Sequence, residues 1–143
     1  MTVTEVNPQT ANDWFSEAFA PHVTGLNISI ESIGANGVQL RLPYSDDLSR
    51  FGGIVCGQAM MTLIDTCMVF VCYGVLNKYA DVTTVSQSSQ FLRPVSGRDI
   101  IAKGEATKVG RQLIFGEVKL YGEGDDRIVC TGASTFAVLP PRN

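Results

Sequence analysis

The chain has 143 residues, 45 % of them apolar and 17 % charged, with a net charge of −3 and one histidine. That length reads as one domain, and the composition excludes intrinsic disorder and a disulfide-stapled mini-scaffold. The mild acidity argues against broad binding to nucleic acid, and a lone His excludes a His-rich zinc site. So low a charge share in a short chain also points to surface hidden against another copy.

The segment MTVTEVNPQTANDWF has neither a basic n-region nor an apolar h-region, so no signal peptide is expected. Trp14, Phe15, Ala18 and Phe19 fall at helical spacing within 9–20, which predicts a short amphipathic helix ended by Pro21. Residues 26–33 and 38–42 alternate apolar and polar on either side of a Gly34–Gly37 turn and read as a hairpin. From Phe51 to Asn77 the chain is almost continuously apolar. That run is too long for a strand and rich in Ala, Met and Leu. It predicts a central helix over 54–76, buried on all sides.

Four segments rich in Val, Thr, Ile and Phe follow, at 82–93, 98–109, 112–122 and 127–138. Their short breaks predict antiparallel hairpins. In 112–122, Leu113, Phe115, Val118 and Leu120 are expected inward; in 127–138, Ile128, Cys130, Phe136 and Val138 share one parity. The sum is one α+β domain over 1–143, with about six antiparallel strands curled around one long helix. Cys56, Cys67, Cys72 and Cys130 show no C-x-x-C spacing and read as small hydrophobes of a reducing cytoplasm.

Asp65 is the one charged side chain between Phe51 and Asn77. A carboxylate on an apolar helix is costly unless it is paired, hydrogen-bonded or open to a cleft. Two readings follow: an acceptor for a neighbouring strand, or a general base with a pKa raised by burial. A membrane span is disfavoured by that same Asp and by Gly57 and Gly74. If the helix begins near Gly57, the free amide of Gly57 or Gln58 sits at the positive end of the helix dipole. It then offers an oxyanion site for an ester or thioester carbonyl. Gly52, Gly53 and Gly57 fit equally a tight turn into a helix. Asp65 and Gly57 lie about 12 Å apart by helical rise, so one chain cannot bring both to one carbonyl. Two chains meeting across a dimer can. Arg93, Arg98, Lys103, Lys108 and Arg111 cluster in sequence, as a solvated strand face or as a positive rim for phosphates. His22 reads as a surface residue near a helix end.

Three stretches carry a resemblance. They are V-C-G-Q-A-M-M-T-L-I-D-T (Val55 to Thr66), T-V-S-Q-S-S-Q-F-L-R-P (Thr84 to Pro94) and K-V-G-R-Q (Lys108 to Gln112). Together they resemble the hotdog-fold acyl-CoA thioesterases of the PaaI type, over about residues 23–138. The resemblance implies a hotdog fold, self-association as a dimer or tetramer, and active sites at the dimer interface. It implies hydrolysis of an acyl-CoA thioester, with CoA present as part of the substrate, no other cofactor, no metal, no nucleic acid and no membrane. By matching positions, Asp65 takes the place of the family's helix carboxylate, which acts as base or nucleophile. Gly57 takes the place of the amide that polarises the thioester carbonyl, and Thr84 that of a Ser or Thr near the attacking water. Arg50, Cys56 and Gln58 fall among positions near the substrate; Arg93, Lys108, Gly110 and Arg111 fall where relatives hold CoA. The family's usual His falls at Cys56 and its second Gly at Gln58. These departures keep alternatives in view: a non-catalytic acyl-CoA-binding or regulatory protein, or a hotdog dehydratase. The second is disfavoured because His22 lies outside the helix. Cys56 as an acyl-accepting nucleophile lacks a nearby His to activate it.

Overall fold

Asn7 sets the start of the first helix. Its side chain accepts from the Thr10 amide at 3.0 Å while Thr10 Oγ1 accepts from the Asn7 amide at 3.1 Å, with Pro8 as the first helical residue. The computed structural model describes residues 5–141; positions 1–4 and 142–143, which bound the expected 1–143 domain, lie outside the described residues. Its elements in chain order are helices α1 (Pro8–Ala18) and α2 (Pro21–Thr24), strands β1 (Ser29–Gly34) and β2 (Gly37–Leu42), and a 3-10 turn at Asp46–Leu48. There follow β3 (Ser49–Arg50), β4 (Ile54–Val55), α3 (Gly57–Leu76), β5 (Val82–Phe91), β6 (Ile100–Val109), β7 (Leu113–Gly122) and β8 (Ile128–Val138).

Two helix limits differ from the sequence expectation. α1 ends at Ala18 rather than 20, because Ala20 must be extended (φ −61°, ψ 145°) ahead of Pro21. α3 begins at Gly57 rather than 54. Gly52 and Gly53, at φ +90° and +75°, reverse the chain so that Ile54–Val55 pairs with Ser49–Arg50 before the helix starts.

Six strands form one antiparallel sheet in the order β1-β2-β6-β7-β8-β5, and α3 packs across one face of it. This is the hotdog arrangement. The inner face of β7 is Ile114, Gly116, Val118 and Leu120, all buried. Leu113, 39 % exposed, and Phe115 therefore point to the other face, contrary to expectation: alternation is strict, and a glycine fills one inward place. On β8 the inward set includes Cys130 and Phe136, as expected.

Small residues let α3 approach the sheet. A Cβ on Gly132 would lie 2.6 Å from Ile64 Cγ2, one on Gly104 2.8 Å from Cys67 Sγ, and one on Gly116 2.6 Å from Met68 Sδ. Gly104, Val118 and Gly132 lie in one cross-strand row, and Ala106, Gly116 and Ser134 in the next. The helix therefore rests in a furrow of small side chains, with Ile64, Cys67, Met68 and Val71 fully or almost fully buried. α3 has the length and hydropathy of a membrane span, and the protein itself buries about two-thirds of it.

The apolar run predicts burial on all sides, but one strip of the helix stays open. Gln58 and Met61 are exposed and Thr62, Asp65 and Val69 half-buried, a strip at helical spacing beside β5. The two sheet edges also differ. The Asn12 side chain of α1 closes the β1 edge like a short strand: it accepts from the Ile30 amide at 2.9 Å and donates to the Ile30 carbonyl at 3.0 Å. Among the described residues no side chain covers β5 in that way, and Val85 is 59 % exposed there.

Gly116→Ala is expected to destabilise the fold by about 1–3 kcal/mol, because the added methyl meets Met68 and the Glu105 carbonyl together. Urea unfolding measures this, and a change within experimental error would show that the sheet yields. Burial pushes the thiols of Cys67 and Cys72 up to about 12 and that of Cys130 to about 11, whereas Cys56 is half-buried. A disulfide reagent at neutral pH should titrate one thiol in the folded protein and four after denaturation.

Candidate active site

The open strip of α3 and the strand β5 run side by side, joined by side-chain hydrogen bonds, and at the Gly57–Phe91 end the seam between them opens into a groove. A β-bulge between Thr84 and Ser86 sets which side chains of β5 line that seam. Thr84 pairs with Phe136 on the inward parity, and beyond the bulge Gln87 pairs with Ser134, also inward. Without the extra residue, one of the two would face away from the helix. Thr84 Oγ1 donates to Asp65 Oδ1 at 2.7 Å, and Gln87 Nε2 donates to the Met61 carbonyl at 3.2 Å. Further along, a Cβ on Gly57 would lie 3.3 Å from Phe91 Cε1, so the Phe91 ring covers the first residue of α3.

Asp65 is thus half-buried where α3 meets β5 rather than sequestered, and Thr84 occupies one of its two oxygens. The N-terminus of α3 is electrostatically positive. No side chain caps it and its first turn holds no acid, while Cys56 is the N-cap and spends its own amide on the Leu48 carbonyl at 2.8 Å. Gly57 opens on a cleft of about 450 Å³ that Arg50, Met60, Phe91, Leu92 and Arg93 also line. Arg93 Nη1 is tied to the Ile128 carbonyl at 2.6 Å, and Arg50 Nη1 reaches the Phe51 carbonyl at 3.4 Å. Gln58 is exposed, and its carbonyl accepts from Thr62 Oγ1 at 2.9 Å.

One chain therefore sorts the residues singled out from sequence into three groups. Asp65 and Thr84 are in contact. Gly57, Arg50 and Arg93 share the cleft at the start of α3, with Cys56 and Gln58 flanking Gly57 in the chain. Lys108, Gly110 and Arg111 lie apart, lining a cleft of about 470 Å³ at the β6–β7 turn with Leu113 and Phe115. The five basic residues near one another in sequence do not make one rim. Lys103 sits on the outer face of the sheet, 5.2 Å from the Tyr121 ring centroid, and Arg98 Nη1 donates to the Glu123 carbonyl at 3.3 Å. His22 is exposed on α2. Among the described residues no group of three or more His, Cys, Asp or Glu side chains is placed to hold a metal.

Sequence reasoning did not single out Phe91 and Gln87 as residues facing α3. The alternation of β5 gives little signal for either, because the bulge changes its parity midway.

The thioesterase superfamily profile matches residues 52–129, more than half of the chain, taking in α3, β5 and the groove between them. A Halobacterium salinarum protein named as a candidate esterase is 31 % identical over 124 residues, which is 80 % of this chain and 82 % of that protein. A candidate thioesterase from Silicibacter sp. TM1040 has a TM-score of 0.84 at 26 % identity and covers 96 % of each chain. Two more distant structures share the fold. One is a hypothetical thioesterase from Streptococcus pneumoniae solved with coenzyme A (TM-score 0.77, 20 % identity, 92 % of this chain and 98 % of that one). The other is the Escherichia coli PaaI protein of the phenylacetic acid degradation operon (TM-score 0.80, 15 % identity, 92 % of each). The match falls on the same segments that build the groove, and with it the chain belongs to the thioesterase superfamily.

Proposed function

We propose that this protein is a cytoplasmic acyl-CoA thioesterase whose active sites form between two copies of the chain. The observation that carries the reading is the 2.7 Å bond from Thr84 to Asp65 on the half-exposed strip of α3. Family membership and a fold shared with a protein solved with coenzyme A support the substrate class. The four free cysteines fit a reducing compartment.

Thr84 holds the Asp65 carboxylate in one rotamer. Asp65 takes a proton from water as the water oxygen adds to the thioester carbonyl carbon, or it attacks that carbon itself. The carbonyl oxygen gains negative charge and is stabilised by the amide of Gly57 at the uncapped end of α3. With water as the nucleophile, collapse breaks the C–S bond, releases the free acid and expels the CoA thiolate, which takes up the proton held by Asp65. With Asp65 as the nucleophile, collapse leaves a mixed anhydride on Asp65, which a water molecule then hydrolyses to the free acid and the carboxylate. Arg50 and Arg93, with Cys56 and Gln58 beside them, border the substrate at the mouth of the cleft. Lys108, Gly110 and Arg111 hold phosphate groups of CoA.

Asp65 and Gly57 are separated along one rigid helix by about 12 Å. A carbonyl in contact with both therefore needs Asp65 from one chain and Gly57 from its partner. The uncovered β5 edge and the open strip of α3, with Met61 46 % and Val85 59 % exposed, supply the surface on which two copies meet.

Asp65→Asn should lower kcat for acyl-CoA hydrolysis by about a hundredfold or more and leave the chain folded and associated. Thiol release over short, long and aromatic acyl-CoAs measures it, and an unchanged rate rejects the role. Tight acyl-CoA binding with no thiol release from the wild-type protein would favour the non-catalytic reading that Cys56 and Gln58 keep open.

Subunit mixing tests the shared site. Asp65→Asn and Gly57→Val chains are each expected to be inactive. Co-refolded in equal amounts, they should regain about a quarter of wild-type activity, because half of the dimers are hybrid and each hybrid holds one intact site. No regain places both residues in the same chain's site.

A further inference from the structure

The cleft at the start of α3 is unbalanced in charge. Arg50 and Arg93 line it with Gly57, Met60, Phe91 and Leu92, and no Asp or Glu does. Elsewhere arginines meet carboxylates: Arg41 lies 2.9 Å from Glu31, and Arg127 lies 2.8 Å from Asp125. Among the described residues neither Arg50 nor Arg93 has an ion-pair partner. Each donates to a main-chain carbonyl, Arg50 to Phe51 at 3.4 Å and Arg93 to Ile128 at 2.6 Å. A guanidinium carries more N–H donors than one carbonyl uses, so most of each fork is left for another acceptor. A protein of net charge −3 thus presents two unpaired cations in one partly apolar cleft.

The chemistry of the thioester limits which anion meets them. This step rests on the thioesterase reading, in which Gly57 polarises the thioester carbonyl. Arg50 and Gly57 line one cleft of about 450 Å³, so a group held by Arg50 lies a short run of bonds from that carbonyl. The phosphates of CoA do not, because the long uncharged pantetheine arm separates them from the sulfur. Lys108, Gly110 and Arg111 line a different cleft. The negative group therefore has to come from the acyl side. Met60, Phe91 and Leu92 give the same cleft apolar walls, which suit methylene groups. We propose that the preferred substrate is the CoA monothioester of a short dicarboxylic acid, whose far carboxylate pairs with Arg50, with Arg93 beside it. A planar guanidinium meets a carboxylate through two parallel hydrogen bonds. A monocarboxylic acyl group of equal length leaves Arg50 without a partner, so the cleft discriminates by charge rather than by length.

Matched substrates provide the test. Adipyl-CoA and hexanoyl-CoA have the same chain length and differ in one terminal carboxylate. The wild type should favour adipyl-CoA in kcat/KM by about ten- to a hundredfold, the worth of one hydrogen-bonded charge pair. Raising NaCl should shrink that ratio, because Arg50 is exposed, and this readout needs no variant. Arg50→Gln should bring the ratio close to one. Arg50→Lys, which keeps the charge and loses the fork, should retain part of it. A wild-type ratio near one, or one that salt does not move, overturns the proposal. So does an Arg50→Gln chain that loses turnover of both thioesters equally, which would assign Arg50 to the shared thioester or to CoA. Thiol release from neither compound overturns hydrolysis instead, and calorimetry with the same two thioesters then decides the carboxylate. Tighter binding of adipyl-CoA supports its pairing with Arg50, and equal binding overturns it.

Discussion

The seating of α3 on three glycines governs the remaining geometry. Gly104, Gly116 and Gly132 lie on neighbouring strands, and each removes a side chain from beneath the helix. Close approach fixes the helix in rotation as well as in height, because Ile64, Cys67 and Met68 each fill a place that a methyl would deny them. With those residues turned to the sheet, helical geometry directs Asp65 toward β5. The same demand explains Ser134, whose buried Oγ has no partner among the described residues, in the row that holds Gly116. A larger residue that satisfied its own polar atoms would lift the helix, so a small side chain is kept despite a desolvation cost of about 1–3 kcal/mol.

On that foundation, two local irregularities build the groove. The bulge in β5 turns Thr84 and Gln87 to the same side, and the Gly52–Gly53 reversal delays the helix until Gly57. Each departs from regular structure by a residue or two. Together they place a carboxylate held by a hydroxyl partway along α3 and an uncapped helix terminus at the cleft where α3 begins. Opposite electrostatic characters are thereby kept apart along one rigid element, negative at Asp65 and positive at Gly57. A far-side ionic cluster, in which Arg41 lies 2.9 Å from each of Glu31, Asp99 and Glu123, is independent of this arrangement. Hydrogen bonds from Gln39 and Arg41 hold the Glu31 carboxyl below its ordinary value, and the Tyr44 amide with Arg41 does the same for Asp99.

Much of this was legible in the residues. Alternation and turn glycines identify the strands, and an apolar run of helical composition identifies α3. A solitary Asp in that run marks the groove, and its contact with Thr84 joins two positions far apart in sequence. Periodicity misled in three places, each for a physical reason. Ile54 and Val55 are apolar and adjoin the helix, yet two glycines of positive φ bind them into a hairpin. Phe115 looks like a core residue, yet Gly116 takes the inward place because the helix needs the room. The helix looks apolar on every side because Met61 and Val69 are, yet its own chain covers neither completely. Composition reports that such residues want cover. It does not report whether the cover is cis or trans.

The two ends of the sheet raise a question of timing. At β1 the Asn12 amide closes the open main chain as soon as α1 packs, so that edge is protected within a single molecule. β5 is a ten-residue strand at the opposite end with no such internal closure among the described residues. Until it is covered, its free peptide groups can receive any extended segment that arrives first. If a second copy covers β5, as in the proposed dimer, a newly made chain is vulnerable for an interval set by concentration rather than by its own folding rate. Dilution lengthens that interval, and abundance of the correct partner shortens it.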